Sequence, residues 1–342
     1  MPQTDILSKY YFLNDHPFDP ERDTGRKLEL KANKLSLLRE LKMFEHKELK
    51  NYFVKVGPFK IASATVDDYL DGIGYTGSPV PPAFLIQGAK GTGLDSMINY
   101  VADAIRDHAP GATLHSTPIP SASQSRLLFL LKGLLEKFLS ESSEIFARYA
   151  FINPSRPDLA YLEAMLKELA AGSVPDRPLI LALGPIAWGS REWLVWLYRL
   201  LAPLNVFLVF YSDDTRIASW FDDLVKQNSL SGRTVRLKGL DAAEGQLFLA
   251  LRFEDFRTAA VDPKSFPFSP VALPSIFRDV PEQRVGVKFL IQILRISLNA
   301  KLAALEKSYV EPPPPPNLIQ IEWLDISGAY RDVLNPQGMQ TQ

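Results

Sequence analysis

The chain contains no cysteine among its 342 residues. That absence excludes disulfide bonds, thiolate metal sites and cysteine nucleophiles, and it fits a reducing compartment. Histidine is scarce as well, since His16, His46, His108 and His115 are the only four and their spacing is not typical of a zinc site. No segment reaches about 18 consecutive apolar residues, and the N-terminus has no apolar run of signal-peptide length. We therefore predict a cytoplasmic protein with no membrane span and no metal site.

The chain also lacks a large net charge of either sign. The formal net charge is −1, so a nucleic acid or an acidic partner would have to contact a local patch. One such patch exists, because residues 22–60 carry eleven lysines and arginines against five acids. Leucines about three apart predict an amphipathic helix over 31–49 whose other face is basic. Two interpretations stay open: a solvated helix face, or a contact surface for nucleic acid over 26–60.

The middle of the chain alternates between strand and helix patterns. Short apolar runs with helical periods between them predict strands at 83–87, 112–119, 177–185, 205–214 and 233–240. The runs at 177–185 and 205–214 are apolar on both faces, as expected at the centre of a parallel sheet. We predict an α/β fold with a parallel sheet that is covered by helices on both faces.

The remaining segments suggest four parts. Residues 1–80 are predicted to be an extended N-terminal arm and the basic helix, 81–240 the α/β core, 241–310 the helical lid, and 311–342 a proline spacer with a tail peptide. Asp241 and Glu244 form a capping-box pattern at the start of the lid, and a long last helix is predicted to begin near Pro281.

Five consecutive prolines at 312–316 predict a stiff spacer that holds the tail away from the domain. The apolar residues Ile319, Ile321, Trp323 and Leu324 follow it, in a pattern typical of a short strand or a docking peptide. We predict that this peptide binds a protein partner.

Residues 88–96 read GAKGTGLDS and lie between a predicted strand and a predicted helix. Gly88 and Gly93 match the glycines of the phosphate-binding pattern G-x-x-x-x-G-K-[ST], with Lys90 and Gly91 between them. Leu94 stands where that pattern has lysine, and Asp95 stands where it has serine or threonine. The sequence therefore keeps the context of a phosphate loop without its characteristic side chains.

This order of elements resembles the P-loop ATPases of the AAA+ and STAND type. The resemblance implies an α/β fold with a three-layer P-loop NTPase-like core and a parallel sheet, followed by a helical lid. Four stretches carry the resemblance: GAKGTGLDS, LILALGPIAWGSREWLVWL, VFLVFYSDDT and TVRLKGLDAAEGQLFLALRF. It implies that Gly184 and Pro185 occupy the places of the two Walker B acids and that Asp213 lies at a sensor position. It also implies that Arg233 and Arg284 lie near the trans-acting finger and the lid sensor. Surface or capping arginines are the alternative for both.

The departures from the pattern decide the predicted chemistry. In such a site the lysine reaches the β- and γ-phosphates, while the hydroxyl and a strand-end acid hold Mg²⁺. Leu94 removes the positive charge and Asp95 adds a negative one, which at ~4 Å and an effective dielectric near 20 costs on the order of 4 kcal/mol against a phosphate. We expect Leu94 to pack where the lysine would point, and Asp95 to serve as the anion at the helix start.

These departures predict that the chain is not an enzyme and needs no cofactor. The sequence then indicates an inactivated AAA+/STAND-like pseudo-ATPase that acts as a scaffold or regulator, as in bacterial conflict or signalling systems, with oligomerisation left open. ATP with Mg²⁺ remains an alternative through Lys90 and Asp213 or Asp214. A second alternative is a nucleotide-binding or active ATPase that acts on DNA through 26–60. A third is a structural subunit of unrelated fold, which predicts no lid after Lys238.

Overall fold

The computed structural model of the chain describes residues 3–13, 16–18, 56–72, 82–118, 131–136, 139–140, 152–154, 158–172, 179–201, 204, 206–254, 256–260, 264–278, 284–308 and 315–334. The basic helix predicted at 31–49 lies outside these residues. So does the proposed contact surface from 26 to 55.

A five-stranded parallel sheet forms the centre of the fold. Its strands are β1 (Ala83–Gln87), β2 (Thr113–Pro118), β3 (Leu179–Gly184), β4 (Val206–Ser212) and β5 (Gly232–Arg236). They lie in the order β2-β3-β4-β1-β5. Leu85 is aligned with Phe210 on one side and with Thr234 on the other, so β1 lies between β4 and β5. All five predicted strands are confirmed.

The sheet is buried on both faces because its strands are apolar at successive positions. Phe84 and Ile86 of β1 face one hydrophobic cluster, and Ala83 and Leu85 face the other. Three helices cover the second face: α4 (Leu159–Gly172), α5 (Arg191–Leu201) and α6 (Thr215–Lys226). The first face is covered by α2 (Gly57–Gly72) and α3 (Leu94–His108). The predicted three-layer arrangement is therefore confirmed.

Helix α2 was not expected from the sequence. It packs against α3 and β5, where the hydroxyl of Tyr100 donates to the carboxylate of Asp67 at 2.8 Å. His108 lies 3.0 Å from a carboxylate oxygen of Asp71 on the same helix. Residues 57–72, which the sequence grouped with the N-terminal arm and the basic helix, thus belong to the packing of the α/β core.

The lid contains three helices: α7 (Ala242–Glu254), α8 (Ala272–Arg278) and α9 (Val287–Lys307). The capping box is confirmed, since the amide of Asp241 donates to Glu244 and the amide of Glu244 donates to Asp241, both at 2.9 Å. Helix α8 was missed because its proline-rich surroundings favoured a loop. The last lid helix begins at Val287 and not near Pro281.

The N-terminal segment is a helix where an extended arm was predicted. Helix α1 (Gln3–Tyr11) packs against α9, and Tyr11 is fully buried. Two arginines of the lid donate hydrogen bonds to backbone carbonyls of this N-terminal segment. Arg252 donates to the carbonyl of Pro17 at 3.0 Å, and Arg257 donates to the carbonyl of Tyr11 at 3.0 Å. Because apolar side chains of α1 complete the lid core, the prediction of an extended arm is wrong for these residues.

The C-terminal segment packs on the lid, although a proline spacer was predicted to hold it away. Helices α10 (Pro316–Ile319) and α11 (Trp323–Leu334) flank Ile321, which pairs with Phe268. Ile319 and Ile321 are buried and Trp323 packs against the same core, so these residues of the predicted docking peptide bind within the chain. Leu324 is the member that remains exposed, at 86%.

Candidate functional site

The loop between β1 and α3 has a tight, internally bonded backbone. The side chain and amide of Thr92 both donate to the carbonyl of Ala89, at 2.7 and 3.1 Å. Gly91 and Gly93 have φ values of +88° and +95°, which side chains on other residues rarely allow. The sequence therefore predicted correctly that a strand, a glycine loop and a helix follow one another here.

Three residues outside the loop, Phe59, Ser212 and Leu237, contact its glycines. A β-carbon on Gly88 would lie 2.7 Å from the hydroxyl of Thr92 and 3.0 Å from the carbonyl of Leu237, and one on Gly93 would lie 2.9 Å from the ring of Phe59. The amide of Gly88 donates to the carbonyl of Ser212 at 3.0 Å. Glycine is thus required by close contact at 88, and at 93 by both conformation and contact.

The side chains of the loop divide into packed and exposed ones. Leu94 packs against the core, as expected. Asp95 is exposed, and none of the described residues donates a hydrogen bond to its carboxylate, so the expectation that it takes the place of an anion within the loop is not met. Lys90 is exposed and forms no ion pair with the described residues.

The end of β3 leaves no room for an acid. A β-carbon on Gly184 would lie 2.3 Å from two ring atoms of Tyr211 on β4, closer than any real contact. Pro185 follows through a cis peptide bond and is exposed. Tyr211 is a site residue that the sequence did not reveal, because the contact joins residues of two different strands.

The loops after β3 and β4 are bonded together. The hydroxyl of Ser212 donates to the carbonyl of Ile186 at 2.7 Å and accepts from the amide of Asp214 at 3.1 Å. Asp214 caps α6 and forms an ion pair with Arg216 at 2.7 Å, which lowers the pKa of its carboxyl, mainly through the hydrogen bond from Arg216. Asp213 is exposed beside it. Within this cluster, the carboxylate of Asp214 is therefore already paired with Arg216.

Two arginines add a cation–π arrangement near this cluster. The guanidinium groups of Arg191 and Arg216 lie 4.7 and 5.4 Å from the ring centre of Trp188. Trp188 lies in the stretch after β3 that carries the resemblance, and its two arginine partners were not anticipated from the sequence.

The two arginines proposed as finger and sensor lie apart from each other. Arg233 is an exposed residue near the start of strand β5. Arg284 precedes α9 and donates to the carbonyl of Gly239 at 2.7 Å and to the carboxylate of Glu244 at 3.1 Å. Arg284 therefore ties the start of the lid to the start of its last helix, as a capping arginine would.

The lid touches the loop directly. The amide of Lys288, in the first turn of α9, donates to the carbonyl of Gly91 at 3.0 Å. Gly286, the N-cap of α9, faces the same carbonyl: a β-carbon there would lie 3.1 Å from the oxygen. This contact brings residues almost two hundred positions apart to one place, and no motif in the sequence marks it.

The residues present do not fit Mg²⁺ and a triphosphate in the way the motif requires. Leu94 offers no charge and packs on the core, while Asp95 presents a carboxylate beside the loop. The ring of Tyr211 fills the space that an acid at 184 would need. Among the described residues, no group of three or more potential ligands could hold a metal ion.

Searches against family models and curated proteins found no match. Solved structures do resemble the chain. The ORC1 protein of Aeropyrum pernix in complex with DNA has a TM-score of 0.50 at 15% identity over 86% of this chain and 69% of its own. The ORC2 protein of the same organism, with ADPNP and ADP, has 0.48 at 14% over 83% and 70%. Cdc6p from Pyrobaculum aerophilum has 0.45 at 14% over 86% and 81%.

A parallel five-stranded sheet, a phosphate-loop backbone and a helical lid define the class as P-loop NTPase-like. More narrowly, the chain has the fold of the AAA+ P-loop ATPases. At 15% identity this likeness shows the fold alone.

The prediction that the chain is not an enzyme is contradicted, because its fold is one that AAA+ ATPases share. Separately, no helix in the described parts of the chain is long and apolar enough to cross a membrane.

Proposed function

We propose that this chain is an AAA+-fold regulator or scaffold that holds a protein partner, with its phosphate loop serving as the joint between the α/β core and the lid. The observation that carries the proposal is the hydrogen bond from Lys288 of the lid to Gly91 of the loop. In addition, Leu94 is partly buried and packs against the core, and its side chain has no charge to offer a ligand's phosphate.

The lid offers the surface for such a partner. Ser269 donates its amide to the carbonyl of Ile321 at 3.1 Å, so the segments that carry Val271 and Leu324 run side by side. Val271 is 78% exposed and Leu324 is 86% exposed. Exposed apolar side chains that lie close together are typical of protein contact sites.

Titration calorimetry tests whether the phosphate loop binds a nucleotide. We expect no heat from ATP or ADP with Mg²⁺, because Asp95 repels phosphate and Leu94 cannot attract it. The double variant Leu94→Lys, Asp95→Ser restores the motif and serves as the comparison. Micromolar binding by the wild type, lost in Lys90→Ala, would refute a purely structural loop.

Partner capture tests the lid surface. Affinity purification of the crosslinked full-length chain should recover a defined partner, and Leu324→Asp should release it without lowering the melting temperature. Ser327→Asp, on the same helix and also not buried, is the matched control. Recovery that is equal for both variants would place the contact elsewhere.

A second candidate is a nucleotide-dependent protein that acts on DNA. The ORC1 neighbour was solved with DNA, and residues 22–60 carry the basic excess described above. In this case DNA binding should weaken with salt and fall when Lys27, Lys31, Lys34 and Lys42 are changed to glutamine. Binding that is insensitive to these four changes would remove the basic segment as its site.

A further inference from the structure

Helix α7 of the lid is apolar on its outer face as well as on its inner one. On the inner face, Phe248, Leu249 and Phe253 are buried in the lid core. On the outer face, Leu247 and Leu251 lie one helical turn apart and remain 50% and 37% exposed. Helices that are apolar all round are covered on both sides in folded proteins, so the outer face of α7 needs an occupant.

The chain itself passes both ends of α7. Phe18 is the last described residue of the N-terminal segment, and its ring packs against Phe253 near the C-terminal end of α7, with 5.7 Å between the ring centres. At the other end, a β-carbon on Gly57 would lie 2.3 Å from the carboxylate of Glu244. The chain between Phe18 and Gly57 therefore leaves the described structure at one end of α7 and returns to it at the other.

That part of the chain contains the amphipathic helix predicted from the leucine spacing. Leu38, Leu41 and Phe44 lie within one face of this helix, and Arg39 and Lys47 lie on the opposite side. At 1.5 Å per residue the predicted helix is about 28 Å long, which is enough to cover α7 along its whole length. Its apolar face matches the outer face of α7 in character and in extent.

We propose that the apolar face of residues 31–49 docks on the outer face of α7 and runs antiparallel to it. The direction follows from the chain ends, because the segment starts beside Phe253 and finishes beside Glu244. The connection over 50–55 spans at most about 20 Å, which keeps the end of the predicted helix close to Glu244.

This arrangement has a consequence for the charge on the lid. With Leu41 and Phe44 against α7, Arg39 and Lys47 face away from it, so the basic segment presents its charge on the outside of the lid. An anionic partner of this segment would then be bound at the lid. The inference itself rests on α7 and on the chain ends, and it does not depend on the proposed function.

Thiol labelling tests the cover, because the chain has no cysteine of its own. In the full-length protein, Leu251→Cys should react with a maleimide at least roughly tenfold more slowly than Glu192→Cys on α5, where the side chain is 89% exposed. Adding Leu41→Asp and Phe44→Asp should raise the rate at position 251 roughly tenfold, because the apolar face of the segment is then lost.

Two controls accompany that variant. Ser36→Asp with Lys47→Ser changes the net charge by the same amount on the opposite side of the predicted helix, and it should leave the labelling slow. Ala272→Cys, which is buried in the lid, should stay unreactive beside Leu41→Asp and Phe44→Asp, because the lid remains folded. If it reacts, serine replaces aspartate at both positions.

Spin labels test the direction in a chain whose apolar face is intact. A label at Glu254, which is exposed at the C-terminal end of α7, is paired with a second label at Ser36 or at Lys47. The antiparallel arrangement predicts the shorter distance to Ser36, by up to about 16 Å at 1.5 Å per residue.

Three results would overturn the proposal. The first is fast labelling of Leu251→Cys in the otherwise unchanged chain, since α7 would then be uncovered. The second is slow labelling that persists with Leu41→Asp and Phe44→Asp, since a second copy or another segment would then be the cover. The third is a distance from Glu254 that is shorter to Lys47 than to the label at position 36, because the direction is part of the assignment.

Discussion

Gly184→Ala is expected to destabilise the protein through a single contact. The new methyl group would lie 2.3 Å from the ring of Tyr211, where two carbon atoms normally stay more than 3.4 Å apart. Overpacking of this kind costs about 1–3 kcal/mol, and the entropy gained in replacing glycine returns at most about 1 kcal/mol. With about 2 kcal/mol of overpacking, the net expected cost is about 1 kcal/mol. Gly189→Ala meets nothing within 4 Å and is the control.

The assay is urea unfolding followed by tryptophan fluorescence, in a double-mutant cycle with Tyr211→Ala. If the tyrosine ring is what excludes a side chain at 184, Gly184→Ala should no longer destabilise in the Tyr211→Ala background and should stabilise by up to about 1 kcal/mol. The coupling energy would then be about 2 kcal/mol. Equal costs in both backgrounds would refute the reasoning, since another neighbour would then be responsible. By the same logic, an acid at 184 can be accommodated only when Tyr211 is also replaced.

Three further outcomes are expected. Arg284→Ala should lower stability by about 1.5–3 kcal/mol in thermal unfolding, because charged hydrogen bonds at the lid joint are lost, whereas the exposed Arg331→Ala should change it little. Tyr11→Phe should cost about 1 kcal/mol, because the buried carbonyl that its hydroxyl binds loses its donor. Several interactions raise the pKa of His108, and the largest is its hydrogen bond with the carbonyl of Ala104. The stability that protonated His108 adds to the fold should therefore be complete below pH ~6.5 and be lost as the pH rises through the folded pKa.

Each of these has an outcome that contradicts it. A joint held mainly by apolar packing would leave the Arg284 variant as stable as its control. A tail that detaches readily would make Tyr11→Phe neutral. For His108, the loss of stability on raising the pH should be smaller in His108→Gln, as followed by urea unfolding at several pH values. An identical pH dependence in that variant would assign the effect to another group.

Local sequence patterns were enough to predict the strands and helices of the α/β core. Helix α3 and the strands β3 and β4 follow from apolar period and length alone, because their residues are buried wherever the sheet forms. The capping box of Asp241 and Glu244 was equally local. Helix α2 was missed because its sequence mixes small and polar residues without a long apolar run, and its partners on α3 and β5 are distant in the chain.

The site was only half predictable. The glycine loop and the missing lysine can be read from nine residues, yet the roles of the neighbours cannot. Tyr211 closes the position at Gly184, and Lys288 bonds to Gly91, through contacts that depend on the finished fold. The tail shows the same limit: five prolines indicated a spacer, while the burial of Ile321 depends on Phe268, more than fifty residues earlier.

Helices α1 and α11 both pack on α9. A pulling force applied through the two ends of the described chain would therefore load the lid first and reach the sheet through the contacts between lid and core, among them the hydrogen bonds between Leu240 and Val285 and the one from Lys288 to Gly91. Anything joined to either end would likewise travel with the lid. The α/β core is in this sense mechanically sheltered, and the lid is the part of the molecule that feels what is attached to it.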